Sequence, residues 1–188
     1  MKKIFVLGGS VLLLTLTQAC NNGSGTGNGN SNVDTADSMN AASAPVEKSD
    51  ADFMVSAAIG GMSEVEMGRT AQQKATNPRV SAFGAMMVND HSKANDSLKT
   101  LAARKSITLP DSLDQAHRSD VDKLSSMSKG YDKAYIDDMV KDHEKDIDEF
   151  EKGAQNVKDP DIQAFITQTL PVLRTHLDSA KAIQESLK

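Results

Sequence analysis

A chain of 188 residues, 38% hydrophobic and 25% charged, has material for one ordinary domain. With 4% aromatics and no Trp, a core built on Ala, Met and Leu favours closely spaced helices over a β-sandwich. The formal net charge of -5 argues against nucleic acid as a partner, because that affinity rests on a basic patch.

Residues 1–19 read as a lipoprotein signal peptide. Lys2 and Lys3 form a basic start, Ile4 to Leu16 an apolar run, and Thr17-Gln18-Ala19-Cys20 its end. The run falls short of the ~20 residues a spanning helix needs and gives way to polar residues, so cleavage is expected. The one cysteine of the chain stands at the cleavage point. This resembles a bacterial lipobox, in which the cysteine becomes the lipidated first residue, although Thr17 stands where Leu is commoner. A free thiol after a plain secretory signal is the alternative. Residues 20–51 are mostly Asn, Gly, Ser, Thr, Asp and Ala. They bury too little apolar surface to offset ordering entropy, so a flexible tether from the lipidated Cys20 is expected. Asn21, rather than Asp, follows the cysteine, which resembles lipoproteins sent to the outer membrane. The expected location is the periplasmic side of that membrane, with the N-terminal lipid as the membrane contact.

Residues 52–188 carry a three-four apolar spacing, the mark of amphipathic helices. The stripes run Phe53-Ala57-Gly60-Glu64-Met67-Ala71-Ala75, then Val80-Phe83-Met87-His91-Ala94-Leu98-Leu101. After a connection come Tyr135-Met139-His143-Ile147-Phe150-Ala154-Val157 and Phe165-Thr169-Leu173-His176-Ala180-Ile183-Leu187. Asn77-Pro78 and Asp159-Pro160 each place an N-cap residue before a proline at the first helical position. Both are followed by similar residues, Val80-Ser81-Ala82-Phe83 and Ile162-Gln163-Ala164-Phe165. Two helical hairpins are therefore expected. Between them Leu109-Pro110-Asp111-Ser112 opens a shorter helix that Lys129-Gly130 ends, either as a long crossover or packed across one end of the bundle. Pro171 predicts a kink one turn before His176.

Glu64, His91, His143 and His176 each interrupt one apolar stripe. Counted from the hairpin turns, they lie about 20 to 25 Å along the axis, near the middle of a bundle roughly 40 to 45 Å long. Buried carboxylates and imidazoles without partners are costly, so four at one level should contact each other or an ion. Three imidazoles and a carboxylate fit a divalent transition metal of unspecified identity. Asp90 and Asp142, each preceding a histidine, are candidate outer acceptors. The segments Met87-Val88-Asn89-Asp90-His91 and Met139-Val140-Lys141-Asp142-His143 echo each other. Met87 and Met139 fit copper as soft ligands, but Met on a core stripe is more often filler. His117, with Asp114 three residues earlier, reads as a solvated histidine. A metal-free network, in which Glu64 accepts from two histidines, stays open beside the metal site.

The segments Glu64-Val65-Glu66-Met67-Gly68, Met87-Val88-Asn89-Asp90-His91, Tyr131-Asp132-Lys133-Ala134-Tyr135 and Thr169-Leu170-Pro171-Val172-Leu173-Arg174-Thr175-His176-Leu177 resemble exported bacterial proteins of domain of unknown function 4142. That family is grouped with the ferritin-like bundles; it usually has Phe where Tyr131 stands. The resemblance implies an all-α, ferritin-like antiparallel four-helix bundle with a short connecting helix, in the cell envelope. It points to Glu64, His91, Asp132, His143 and His176, with Asp132 as a further outer residue, and it brings no reaction. Ferritin-like di-iron sites use Glu-x-x-His motifs, and no histidine here has Glu three residues before it. With no nucleophile elbow or phosphate loop either, the chain reads first as a binding module, and a redox enzyme built on the metal site is the least supported reading. The alternative is a metal-free structural or interaction module of the envelope. A protein partner is not legible, and a homo-oligomer stays open.

Overall fold

The computed structural model describes residues 31–187. Its elements are α1 (Ser31–Ser43), α2 (Lys48–Lys74), α3 (Pro78–Lys105), α4 (Gln115–Ser126), α5 (Tyr131–Asn156) and α6 (Pro160–Ser186). Helices α2, α3, α5 and α6 form the bundle, and no strand occurs among the described residues. No helix among them is long and apolar enough to cross a membrane. The signal segment and Cys20 lie outside the described residues.

Capping residues set the helix starts as the sequence predicts. Asn77 accepts from the Arg79 amide at 2.9 Å, and Asp159 from the Asp161 and Ile162 amides at 2.9 and 3.2 Å. These caps satisfy amides that have no partner inside the helix. The connecting helix starts later than expected, at Gln115, because Asp114 caps it by accepting from the His117 amide at 2.8 Å. Leu109 to Leu113 are therefore non-helical.

Contacts at the two ends establish the chain direction. At one end Asp132, opening α5, accepts from the Thr76 and Asn77 amides at 3.0 and 2.9 Å. At the other, Asp50 in the first turn of α2 accepts from the Lys158 and Asp159 amides at 2.9 and 2.8 Å. There too Lys105, ending α3, pairs with Asp159 and Asp161, both at 2.7 Å. Helix α3 thus ends where α6 begins, and α5 begins at the opposite end. The chain runs the length of the bundle between the hairpins, which is the long crossover of ferritin-like folds. Helix α4 packs on α2 and α5, with Val121 and Leu124 buried against them.

The tether expected over residues 20–51 differs from what is seen. From Ser31 onward the chain is helical and packs on α2. Its short polar side chains serve the crossover's backbone instead of forming a core. Asn40 donates to the Thr108 carbonyl at 3.0 Å and accepts from the Thr108 amide at 2.7 Å. Asn32 donates to the Ser112 hydroxyl, and Ala36 is buried. Composition undercounted this segment because its gain is hydrogen bonding to a distant loop.

Two stripe assignments also shift. On α5 the buried position is Gly153, not the exposed Ala154, because the Phe53 ring occupies the space: a Cβ on Gly153 would lie 2.9 Å from it. On α6 the buried residues of the first turns are Ile162 and Ile166, with Phe165 and Thr169 at the edge. The helix runs on through Pro171, whose ring is exposed.

A candidate metal centre of three histidines

Glu64 and His91 meet because α2 and α3 cross closely. Gly68 and Gly84 face one another there: a Cβ on either would lie 2.8 Å from the other's carbonyl oxygen. Only glycine admits so short an approach. Glu64 sits about one turn along α2 from that contact and His91 about two turns along α3. Their side chains meet at 2.8 Å, Glu64 Oε2 to His91 Nδ1. Helices α5 and α6 supply the other two rings. His143 Nε2 lies 3.4 Å from Glu64 Oε1 and 3.3 Å from His176 Nδ1. The ring centroids form a near-equilateral triangle, with sides of 5.7, 5.2 and 5.3 Å. All four predicted residues are buried, with exposures of 3% for Glu64, 5% for His91, 0% for His143 and 2% for His176.

Each ring has one nitrogen committed to an acceptor. His143 Nδ1 donates to the Met139 carbonyl at 2.9 Å, a group that can only accept. His176 Nε2 donates to Asp90 Oδ2 at 3.1 Å, and His91 Nδ1 donates to Glu64. The partner of one nitrogen fixes the role of the other. The remaining nitrogens, Nε2 of His91, Nε2 of His143 and Nδ1 of His176, are therefore lone-pair bearers in the neutral rings. One ring nitrogen from each histidine falls within 4.8 Å of the others. His91 Nε2 and Glu64 Oε1 are buried without any hydrogen-bond partner.

The electrostatics are those of opposed charges out of water. Burial favours the neutral form of Glu64, but the three histidines outweigh it and hold the carboxyl well below its usual range. Burial pulls His91 down, and the Glu64 carboxylate more than reverses this, so His91 is raised. His143 is lowered by burial despite Glu64. His176 falls to about 4, from burial and from the two neighbouring rings, against the opposing bond to Asp90. A cation at the centre would receive His143 and His176 in the neutral form in which histidine ligates and would displace any proton on His91.

Of the outer residues, Asp90 stands against His176 as the sequence predicts. Asp132 does not belong to the site: it is spent at the bundle end, holding the α2–α3 turn by accepting from Thr76 and Asn77. Asp142 makes no contact with a ring; it is half-buried on α5 and is raised to about 6, by burial and by the charge of Glu64. The outer acceptor of His143 is instead the Met139 carbonyl, a backbone group that no side-chain pattern signals. Met87 and Met139 are buried among the apolar residues of the core. His117 bonds Asp114 at 2.8 Å with its ring 28% exposed, as its place on a polar helix predicts. Asp146, three residues after His143 and so on the same helix face, lines a cavity beside Glu64 and His91; its spacing was the available signal.

The fold and site define a ferritin-like helical bundle with a buried histidine cluster. Residues 35–183 match Domain of unknown function (DUF4142), and the chain belongs to that family. Among solved structures, a DUF305 fragment from Deinococcus radiodurans aligns with a TM-score of 0.67 at 9% identity, covering 76% of this chain and 99% of that one. CopM in its Cu(II)-bound form aligns at 0.64 with 16% identity, covering 74% and 97%. Its Cu(I)-bound form gives 0.64, 16%, and 73% and 96%. At these identities the likeness is one of fold. No curated protein matches the sequence.

Proposed function

We propose that this chain is an exported, lipid-anchored protein that binds one transition-metal ion through His91, His143 and His176. In this reading Glu64 completes the site by anchoring His91 through Oε2 and turning its free Oε1 toward His143. The observation that carries it is the facing of lone pairs. The uncommitted nitrogens of His143 and His176 lie 3.3 Å apart, each of the three rings brings one nitrogen within 4.8 Å of the others, and nothing among the described residues donates to His91 Nε2. Such an arrangement is costly in a buried, low-dielectric site and becomes favourable when a cation occupies it. Imidazole donors suit zinc, copper, iron and nickel. CopM, on the same fold, was solved with Cu(II) and with Cu(I), which puts copper first among the ions to test. Purified full chain, exposed to copper or zinc and desalted, should retain one ion per chain. His143→Ala should retain less than a tenth of that. Equal sub-stoichiometric metal in both proteins would end the reading.

In this reading the envelope location rests on Lys2, Lys3, the apolar run and Cys20, and the periplasmic side of the outer membrane on Asn21 standing where Asp would be the retention signal. Cys20→Ser should release the protein from the membrane fraction; an unchanged distribution contradicts the anchor. A second reading, a metal-free polar core that fixes helix register, has its own support in the closed Glu64–His91 pair at 2.8 Å. It requires an imidazolium among the three rings, and it predicts that added metal leaves the melting temperature unchanged.

A further inference from the structure

A cavity of about 30 Å³ lies to one side of the histidine cluster. Its walls include Gly60, Glu64, His91, Asn95, Asp146 and Phe150; His143 lies 3.4 Å from Glu64, and neither it nor His176 lines the space. A single water needs roughly 10 to 15 Å³, so the space holds about two water-sized molecules. Two of the wall residues carry the buried atoms that lack a partner, Glu64 Oε1 and His91 Nε2.

The void depends on Gly60. A Cβ there would meet nothing nearer than Asp146 Oδ1, at 4.0 Å, so a methyl group would stand in open space. The adjacent Gly61 differs: a Cβ would lie 2.2 Å from Asn95 Oδ1, so the Asn95 side chain closes that part of the wall. A second, open space adjoins the cavity. Ala94, Phe165 and Thr169 line both this cavity and an open groove of about 280 Å³ between α3 and α6, where Val172 is exposed.

The geometry points to this cavity as the position of an exogenous ligand beside the three-histidine ion, taking a small uncharged molecule with protons to donate, which in the resting protein is water. This rests on the metal-binding reading above. Two wall residues each carry an unpartnered acceptor, a carboxylate oxygen and an imidazole lone pair, so an occupant that satisfies them must donate. Asp146 and Glu149 also line the space, so an anion would enter against carboxyl groups on several sides. With the ion in place, His91 Nε2 is committed to it and Glu64 Oε1 becomes the acceptor for the occupant. An ion with three protein ligands and one exchangeable position is the open type of site, not the closed structural type.

The test uses the full chain loaded with Cu(II), studied by electron spin echo spectroscopy in D2O. Wild type should show deuterium modulation from one directly coordinated, exchangeable water. Gly60→Ala, which fills the void with a methyl and which helix propensity favours, should lose that modulation while holding the same copper content. Copper bound without the modulation in wild type, or with equal modulation in Gly60→Ala, would overturn the proposal while leaving the metal site standing. Absence of copper from wild type would overturn both.

Discussion

His143 Nε2 and His176 Nδ1 lie 3.3 Å apart, each on a ring whose other nitrogen already donates elsewhere, to the Met139 carbonyl and to Asp90. Two neutral rings so arranged present lone pair to lone pair. Either a proton or a cation must stand between such atoms, and the third ring, His91, belongs to the same cluster and carries a buried nitrogen without a partner. The requirement for a shared positive charge is built into the way the helices hold the rings.

Asp90 holds His176 through one 3.1 Å bond. Asp90→Ala frees the ring to rotate and to change tautomer. Loss of such outer partners costs about 10- to 100-fold in metal affinity. Competition titration against a chromogenic chelator should show a dissociation constant raised in that range at unchanged stoichiometry. An unchanged constant would mean that packing alone orients the ring.

Glu64→Ala leaves the His91 Nδ1 proton without an acceptor inside the bundle. Breaking a buried charged pair by removing one partner costs on the order of 3–5 kcal/mol. For a domain of this size that corresponds to a fall in melting temperature of roughly 6 to 20 °C. Thermal unfolding of the metal-free protein at pH 7 checks it, and a fall under about 2 °C, well below that range, contradicts the paired state of Glu64.

The contribution of the three histidines to the stability of the metal-free protein should be greatest near pH 6.5. His143 and His176 are lowered from the ordinary histidine value of 6.5, His176 to about 4. Their contribution is complete above 6.5 and is lost as pH falls through the folded values, because the unfolded state takes up the protons first. His91 is raised from 6.5, so its contribution is complete below that value and is lost as pH rises through its folded value. Denaturant midpoints measured from pH 4 to 9 should form a dome. A flat profile would mean that the rings titrate as they do in the unfolded chain.

Asp132→Ala should destabilise the fold without touching the metal. Its carboxylate accepts from two backbone amides and from the Thr76 hydroxyl at the far end of the bundle. The loss should resemble that of a helix cap, about 1–2 kcal/mol, visible in the denaturant midpoint. Metal content should equal that of wild type; a drop in stoichiometry would return Asp132 to the site.

The four bundle helices and the convergence of Glu64, His91, His143 and His176 were legible because both rest on local periodicity. A polar residue on an apolar stripe must find a partner, and residue counts from the hairpin turns placed all four at one height. The long crossover was not legible, because depth is the same in either topology. It is decided by tertiary bonds of Asp50, Lys105 and Asp132 that no spacing encodes. Helix α1 was missed for a related reason. Its order depends on Asn40 reaching Thr108, a partner 68 residues away. The acceptor of His143 is a backbone carbonyl, and Asp142, its neighbour in sequence, turns to another face of α5.

The most direct test of the central claim is X-ray absorption at the metal edge of copper-loaded full chain. The spectrum should show three imidazole nitrogens per ion, with one of them lost in each of His91→Ala, His143→Ala and His176→Ala. An ion coordinated by fewer than two imidazoles in wild type, or a coordination shell unchanged in those variants, would contradict that claim.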